Sequence, residues 1–354
     1  MSKRDVAEPL DGGAPNPRPD TAMNRRLLLA GGAILLGVLA VYLASPSPPG
    51  PMTWSTDGVR ISPDGSNPLY PAISGDLVAW EEHGIGKTTQ IGVFSLADHS
   101  TRLVSPHPWI QFTPSVWQDR VVWQDKRNGN WDIFLFNLTT GVETPVCIHP
   151  AKQSHPVISG DRIVWVDERN GDPDIYLFDL ATGTERPICV QPQTQYDPDI
   201  DGEVVVWEDY REGYETAGDI YAFDLGTGKE MVICREKRGQ WLPSVSGDRI
   251  VWQDYRGGRD FDIYLFNLTS GGERLICDAP ARQWLPKIRN GTIAWVDYRN
   301  QNWDIYAFNL STMTEYPVCN QPEDQGWPAV GHDTIVWQDY RGGNTAIYAA
   351  RIPG

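Results

Sequence analysis

The sequence predicts an all-β chain folded as a seven-bladed β-propeller, and three observations predict it. Seven tryptophans, Trp80, Trp123, Trp165, Trp207, Trp252, Trp295 and Trp337, recur at steps of 43, 42, 42, 45, 43 and 42 residues. A period in the forties marks an array of supersecondary units. A proline stands nine residues before each of them: Pro71, Pro114, Pro156, Pro198, Pro243, Pro286 and Pro328. The third observation is β-branching. Val78, Val121, Ile163, Val205, Ile250, Ile293 and Ile335 precede the tryptophans by two residues, and Ile73, Val116, Ile158, Ile200, Val245, Ile288 and Val330 follow the prolines by two. Such side chains pack well on a buried, pleated surface.

The chain opens with a tail, residues 1–26, ending in Arg25-Arg26. Leu27 to Ala44 follows, eighteen apolar residues without a charge. This segment reads as a membrane anchor or a long signal-peptide core. No A-x-A-type site ends it and no cysteine is available there for lipid, which favours an uncleaved anchor with the N-terminus inside. Cleavage would instead leave a secreted or periplasmic protein. Asn24-Arg-Arg-Leu27 also has the look of a degenerate twin-arginine signal, and Met23 is an alternative start. Residues 45–57 are a Pro-rich linker, and residues 58–354 are read as the propeller.

One unit shows how a blade is built. Pro243-Ser-Val245 is strand a, and Ser246-Gly-Asp248 turns into strand b, Arg249–Gln253, whose Ile-Val-Trp run suits a strand buried on both faces. Strand c is Asp262–Phe266 and strand d is Glu273–Cys277. Four short strands per period, with turn signals between them, make a propeller blade. The seventh unit stops at strand c, while an orphan strand, Gly58-Val-Arg-Ile-Ser62, precedes the first proline. The orphan is expected to complete blade seven and remove the open edge.

The 354 residues are 40% hydrophobic and carry a net charge of −16. Residues 1–44 hold five basic and four acidic side chains, so the acidity belongs to the propeller. A body this acidic repels nucleic acid and favours basic or neutral ligands. The five cysteines, Cys147, Cys189, Cys234, Cys277 and Cys319, share one position in strand d of adjacent blades. Equivalent positions lie too far apart for disulfides, so buried free thiols are expected.

Asp132-Ile-Phe-Leu-Phe-Asn-Leu-Thr-Thr-Gly-Val-Glu143 and Asp174-Ile-Tyr-Leu-Phe-Asp-Leu-Ala-Thr-Gly-Thr-Glu185 resemble TolB-like, WD-repeat-like propeller repeats. The likeness extends over nearly everything from residue 58 onward. It implies a propeller serving as an interaction or ligand-binding platform, often outside the cytoplasm. TolB resembles a six-bladed propeller behind an α/β domain, whereas this chain has seven units and no such domain, so TolB's partners do not transfer.

Several motifs compete with structural readings. Asp197-x-Asp199-x-Asp201-Gly202-x5-Glu208 matches an EF-hand calcium loop. The repeat, however, puts Asp197 and Asp201 at opposite ends of a strand, roughly 13 Å apart, which excludes a shared ion. Sequons at Asn137, Asn267 and Asn309 occupy a turn position where Asp179 and Asp224 stand in other blades, which suits a side chain bonding its own turn. A fourth sequon lies at Asn290. Arg127, Arg169, Arg211, Arg256, Arg299 and Arg341 follow an Asp-x-Arg pattern closed by Asp132, Asp174, Asp219, Asp262 or Asp304. An arginine fork bridging two carboxylates would lock each b–c hairpin. His83, His107, His149 and His155 map to one face without metal-ligand spacing and read as separate surface histidines. The alternative, a metal or acid–base cluster, would resemble in outline some propeller polysaccharide lyases.

The d–a loops carry the candidate site. Gln111, Gln153, Gln195, Gln240, Gln283 and Gln325 each stand three residues before an anchoring proline. Beside them lie Trp109, Phe112, Tyr196, Trp241, Trp284 and Trp327, and the b–c loops add Trp131 and Trp303. Strand order puts both loop types on one face of the disc. Aromatics and amides at that density suggest a surface for a protein partner or a glycan. The expectation is a non-catalytic, monomeric binding propeller with no cofactor. A carbohydrate-active enzyme using the same face is the alternative. No G-x-S-x-G, phosphate loop or attached hydrolase domain is present, which sets the propeller-capped peptidases aside.

Overall fold

The computed structural model describes residues 52–55, 57–84, 88–213 and 218–353. The segment read as a membrane anchor lies outside them. Among the described residues no helix is long and apolar enough to cross a membrane. The chain forms seven four-stranded antiparallel sheets, one per repeat, each in the order a-b-c-d from the centre outward. In blade five the strands are Gln240–Ser246, Arg249–Asp254, Asp262–Asn267 and Gly272–Cys277. Strand a therefore starts three residues before the proline, at the glutamine.

The repeated tryptophans form the core. All seven are fully buried in strand b, and each indole N–H donates to a carboxylate two residues on, as Trp165 Nε1 does to Asp167 Oδ2 at 2.9 Å. The prolines explain a second regularity. The residue before each one, Tyr70, Thr113, His155, Asp197, Leu242, Leu285 or Trp327, has φ between 45° and 54°. Positive φ is unusual for residues with a Cβ, and here it marks a β-bulge near the start of strand a. The bulge turns one backbone N–H toward the preceding blade. Leu242 N donates to Glu208 Oε1 (2.6 Å), His155 N to Gln124 Oε1 (3.0 Å) and Leu285 N to Gln253 Oε1 (3.1 Å). Strand a of one blade is thus tied to strand b of the blade before it.

The last blade is assembled from both parts of the chain. Val59–Arg60 pairs antiparallel with Ala346–Arg351, Val59 opposite Ala349. Met52 and Trp54 of the linker pack against the adjacent cluster of Ile61, Trp80 and Val336.

The arginine locks exist, with a different second partner. Arg211 bridges Asp209 (2.6 Å) and Glu230 of strand d (2.7 Å) while its ring neighbour is Tyr221. Arg169, Arg256 and Arg299 repeat this with Glu185, Glu273 and Glu315. Asp132, Asp174 and Asp304 instead accept from Asn128, Asn170 and Asn300. The fork reaches across the hairpin to strand d with its guanidinium lying over the aromatic ring of strand c, 4.0 Å from the Tyr221 centroid. The cysteines lie under these locks, with Arg211 Nη2 3.3 Å from Cys189 Sγ. All five are free and buried, and burial pushes the Cys147, Cys189 and Cys277 thiols up to about 12.

Candidate functional site

On the d–a/b–c face the six glutamines are not surface donors. Each is at most 1% exposed. Gln153 Nε2 donates to Ala151 O (2.6 Å), Gln240 Nε2 to Arg238 O (2.8 Å) and Gln195 Nε2 to Gln193 O (3.1 Å). Gln283 and Gln325 bond their own d–a loops in the same way. Gln111 reaches Ser105 O and Asp125 Oδ2. The side chains fold inward because the glutamine begins strand a, so the amide meets the carbonyls of the loop just before it.

The aromatic residues divide. Trp109 and Trp327 are 48% and 42% exposed. The others pack partly within a blade, a strand-a ring against the residue that precedes strand c. Phe112 lies 5.4 Å from Trp131, Trp241 5.5 Å from Phe261, and Trp284 5.8 Å from Trp303. Tyr298 extends the last pair, 4.7 Å from Trp303. Tyr298, Trp303, Asp260, Ala281 and Arg282 line an open depression of about 480 Å³ between blades five and six. Among the described residues neither Asp260 nor Arg282 is engaged in an ion pair. The repeat pointed to Trp303 but not to the other four lining residues, of which Tyr298 shares its loop and Asp260, Ala281 and Arg282 come from two others.

Nearer the channel, side chains of blades three to five form one network. Glu208 is buried and accepts from Leu242 N (2.6 Å) and Tyr210 OH (3.2 Å), with Asp197 beside it. Trp241 Nε1 donates to Tyr210 OH at 2.8 Å. His155 and Tyr196 stand beside Asp197, ring to ring at 4.7 Å. Burial, then the Asp197 charge, holds the Glu208 carboxyl well above the ordinary range. Asp197 and Glu208 are the first and last positions of the EF-hand pattern. They meet because the bulge sets Asp197 against strand b, whereas Asp201 lies at the far end of its strand. No group of three His, Cys, Asp or Glu among the described residues is placed to share a metal ion. His83 instead bonds Glu81 (3.1 Å), and His149 Nδ1 accepts from Ala151 N.

At the opposite face the channel mouth is crossed. Arg289 of blade six bonds Asp201 of blade four (3.1 Å) and lies over the Trp117 ring of blade two (4.7 Å).

Comparison with known proteins follows this geometry. No family model and no curated protein matches the chain. Solved structures do. An oligogalacturonate lyase in complex with manganese is 15% identical over 83% of this chain and 92% of its own, with a TM-score of 0.62. The β-propeller domain of the Trilobed protease from Pyrococcus furiosus is 14% identical over 80% and 95%, TM-score 0.65. TolB from Acinetobacter baumannii is 14% identical over 72% and 67%, TM-score 0.52. The fold is TolB-like. At such identities the likeness concerns the fold alone, and the TolB-like propeller shares it with proteins of different activities.

Proposed function

We propose that this TolB-like propeller is a non-catalytic binding module that takes up a glycan on its d–a/b–c face. It is displayed outside the cytoplasm, anchored through residues 27–44 or released by cleavage there. The carrying observation is the depression between blades five and six. Part-exposed Trp303 and Tyr298, in contact at a tilted angle of 55°, offer apolar faces to a sugar ring, while the Asp260 carboxylate and the Arg282 guanidinium offer an acceptor and donors for hydroxyls. A protein partner on the same face is the competing occupant. The pairing of Val59–Arg60 with the last blade supports closure of the ring, which would hold the loops of this face in fixed register.

The enzyme reading draws on the Asp197–Glu208 carboxyl pair. Glu208 is buried and engaged by Leu242 N and Tyr210 OH, whereas glycoside hydrolysis needs both carboxyls turned toward the sugar. The geometry therefore suits binding better than hydrolysis.

Binding of the intact protein to an array of neutral and acidic oligosaccharides tests the reading. Trp303→Ala is expected to weaken the best ligand by about 2 kcal/mol, the size of a hot-spot aromatic. The melting temperature should fall little. Absence of any glycan binding, or cleavage of a bound polysaccharide that His107→Ala plus His155→Ala abolishes, would overturn it.

A further inference from the structure

The rim of the disc carries a pattern that the d–a/b–c face does not use. In each blade the outermost strand ends its sheet, and an open edge is a template for a further strand unless something blocks it. The blades differ in how they block it. The fourth residue of strand d is Pro145, Pro187 and Pro317 in blades two, three and six, opposite Phe134, Tyr176 and Tyr306 of strand c. In blade seven the charged Arg60 stands at the equivalent place, opposite Tyr348. Blades four and five have neither guard. They carry Val232 and Leu275, opposite Tyr221 and Tyr264, and these apolar side chains are 50% and 40% exposed.

Proline has no N–H, so a ladder position that accepts it in three blades is one whose nitrogen faces away from strand c. In an antiparallel pair such residues turn both N–H and C=O outward and alternate with residues that bond inward. Val232 and Leu275 therefore present backbone donors and acceptors at the open edge, as do Glu230 and Glu273 two residues before them. The regular edge ends beyond, at the bulge opposite Ile220 and Ile263, where Cys234 and Cys277 are buried. In the guarded blades a proline ring removes one of those donors and obstructs the approach. Side chains narrow what fits. Glu230 and Val232 lie on one face of their strand, and Glu230 and Glu273 keep part of their carboxylates in solvent beyond Arg211 and Arg256. Blade one has Leu103 at the fourth position but Thr101 in place of the glutamate.

We propose that the outer edges of blades four and five each take up an extended, basic segment of a partner protein as a fifth strand, main chain to main chain. The segment places an apolar side chain against Val232 or Leu275 and a lysine or arginine, two residues along, against Glu230 or Glu273. Apolar pairs and opposite charges facing each other across two strands both stabilise the pairing, and the main-chain bonds supply the affinity. The net charge of −16 draws a basic segment and opposes a second copy of this chain on the same edge. The rim sites are separate from the depression between blades five and six, and they stand or fall independently of glycan binding.

Isothermal titration of the whole protein with the end-blocked peptide Lys-Thr-Val-Thr-Lys-Thr-Val-Thr tests the proposal. Saturable binding at both edges is expected. Val232→Pro and Leu275→Pro install the residue that blades two, three and six already hold at this position, so both variants should melt with the wild type. Each should remove one site, and the double variant should weaken the peptide by about tenfold or more, because it loses edge donors and gains two obstructing rings. Val232→Thr plus Leu275→Thr keeps the backbone donors and should retain binding. The same peptide methylated on alternate backbone nitrogens should not bind, a result that needs no variant to fold. Absence of saturable binding overturns the proposal, as does undiminished binding to the double proline variant or equal binding of the methylated peptide. Sedimentation without peptide gives the last outcome: a wild type that dimerises while the double proline variant stays monomeric would make a second copy the occupant and overturn the basic partner.

Discussion

Glu208 shows how one residue can tie stability to pH in this fold. Its folded carboxyl is raised by burial first and by Asp197 second. A raised acid favours the folded state fully below its unfolded value, and that contribution disappears as pH rises through the folded value. Wild-type stability should therefore decline from mildly acidic pH upward, while Glu208→Gln stays flat. Thermal melts of the two proteins from pH 4 to pH 9 check this, and parallel profiles would count against it. The thiols behave oppositely to reactive cysteines. They are buried and pushed upward, so the native protein should resist a thiol reagent and release all five on denaturation. Two or more missing thiols under non-reducing conditions would contradict the blade alignment.

Within the blade, the Asp-x-Arg turn joins three strands. Arg211 ties the end of strand b, through Asp209, to Glu230 of strand d and covers Tyr221 of strand c. Asp209 is buried, so Arg211→Ala leaves a buried carboxylate unpaired and is expected to cost about 3–5 kcal/mol. Arg211→Lys should recover little of that, because an ammonium cannot bridge both carboxylates in one plane. Chemical denaturation of both variants decides it, and a lysine variant as stable as wild type would show that charge alone suffices. The glutamines act at the same scale. Each staples a d–a loop to the first residue of strand a, which sets where the neighbouring aromatic stands.

Across the whole molecule, the propeller depends on its neighbours all the way round. Val59–Arg60 lies on the outer edge of blade seven, Ile61 N bonds Ile347 O at 2.9 Å, and Arg341 donates to Asp57 O. Deleting residues 52–62 should expose the Ala346–Arg351 edge and remove Ile61 from its cluster, with a clear fall in melting temperature and a tendency to associate. A truncated protein that melts with the full-length one would show that the ring closes without this strand.

The repeat, its seven blades and the buried positions of the tryptophans and cysteines were legible in the sequence, because a period of 42 or so residues and β-branched alternation report local chain geometry. The self-bonding turns were legible for the same reason: Asn137 Oδ1 accepts Thr139 N and Thr140 N, as Asp179 does in its own turn. Tertiary structure alone decided which polar groups reach the surface. The glutamines looked like exposed amides since position in a loop says nothing about side-chain direction, and one bulge moved the strand boundary across them. It alone brought Asp260 and Arg282 to Trp303 and Tyr298, residues of separate loops. It also set Asp197 on Glu208, in a pattern whose spacing suggested calcium, because strand register rather than spacing fixes which carboxyls meet. Arg289 crosses to Asp201 and Trp117 over three blades. A periodic sequence specifies each blade and its neighbour, but contacts across the channel exist only once the ring has closed.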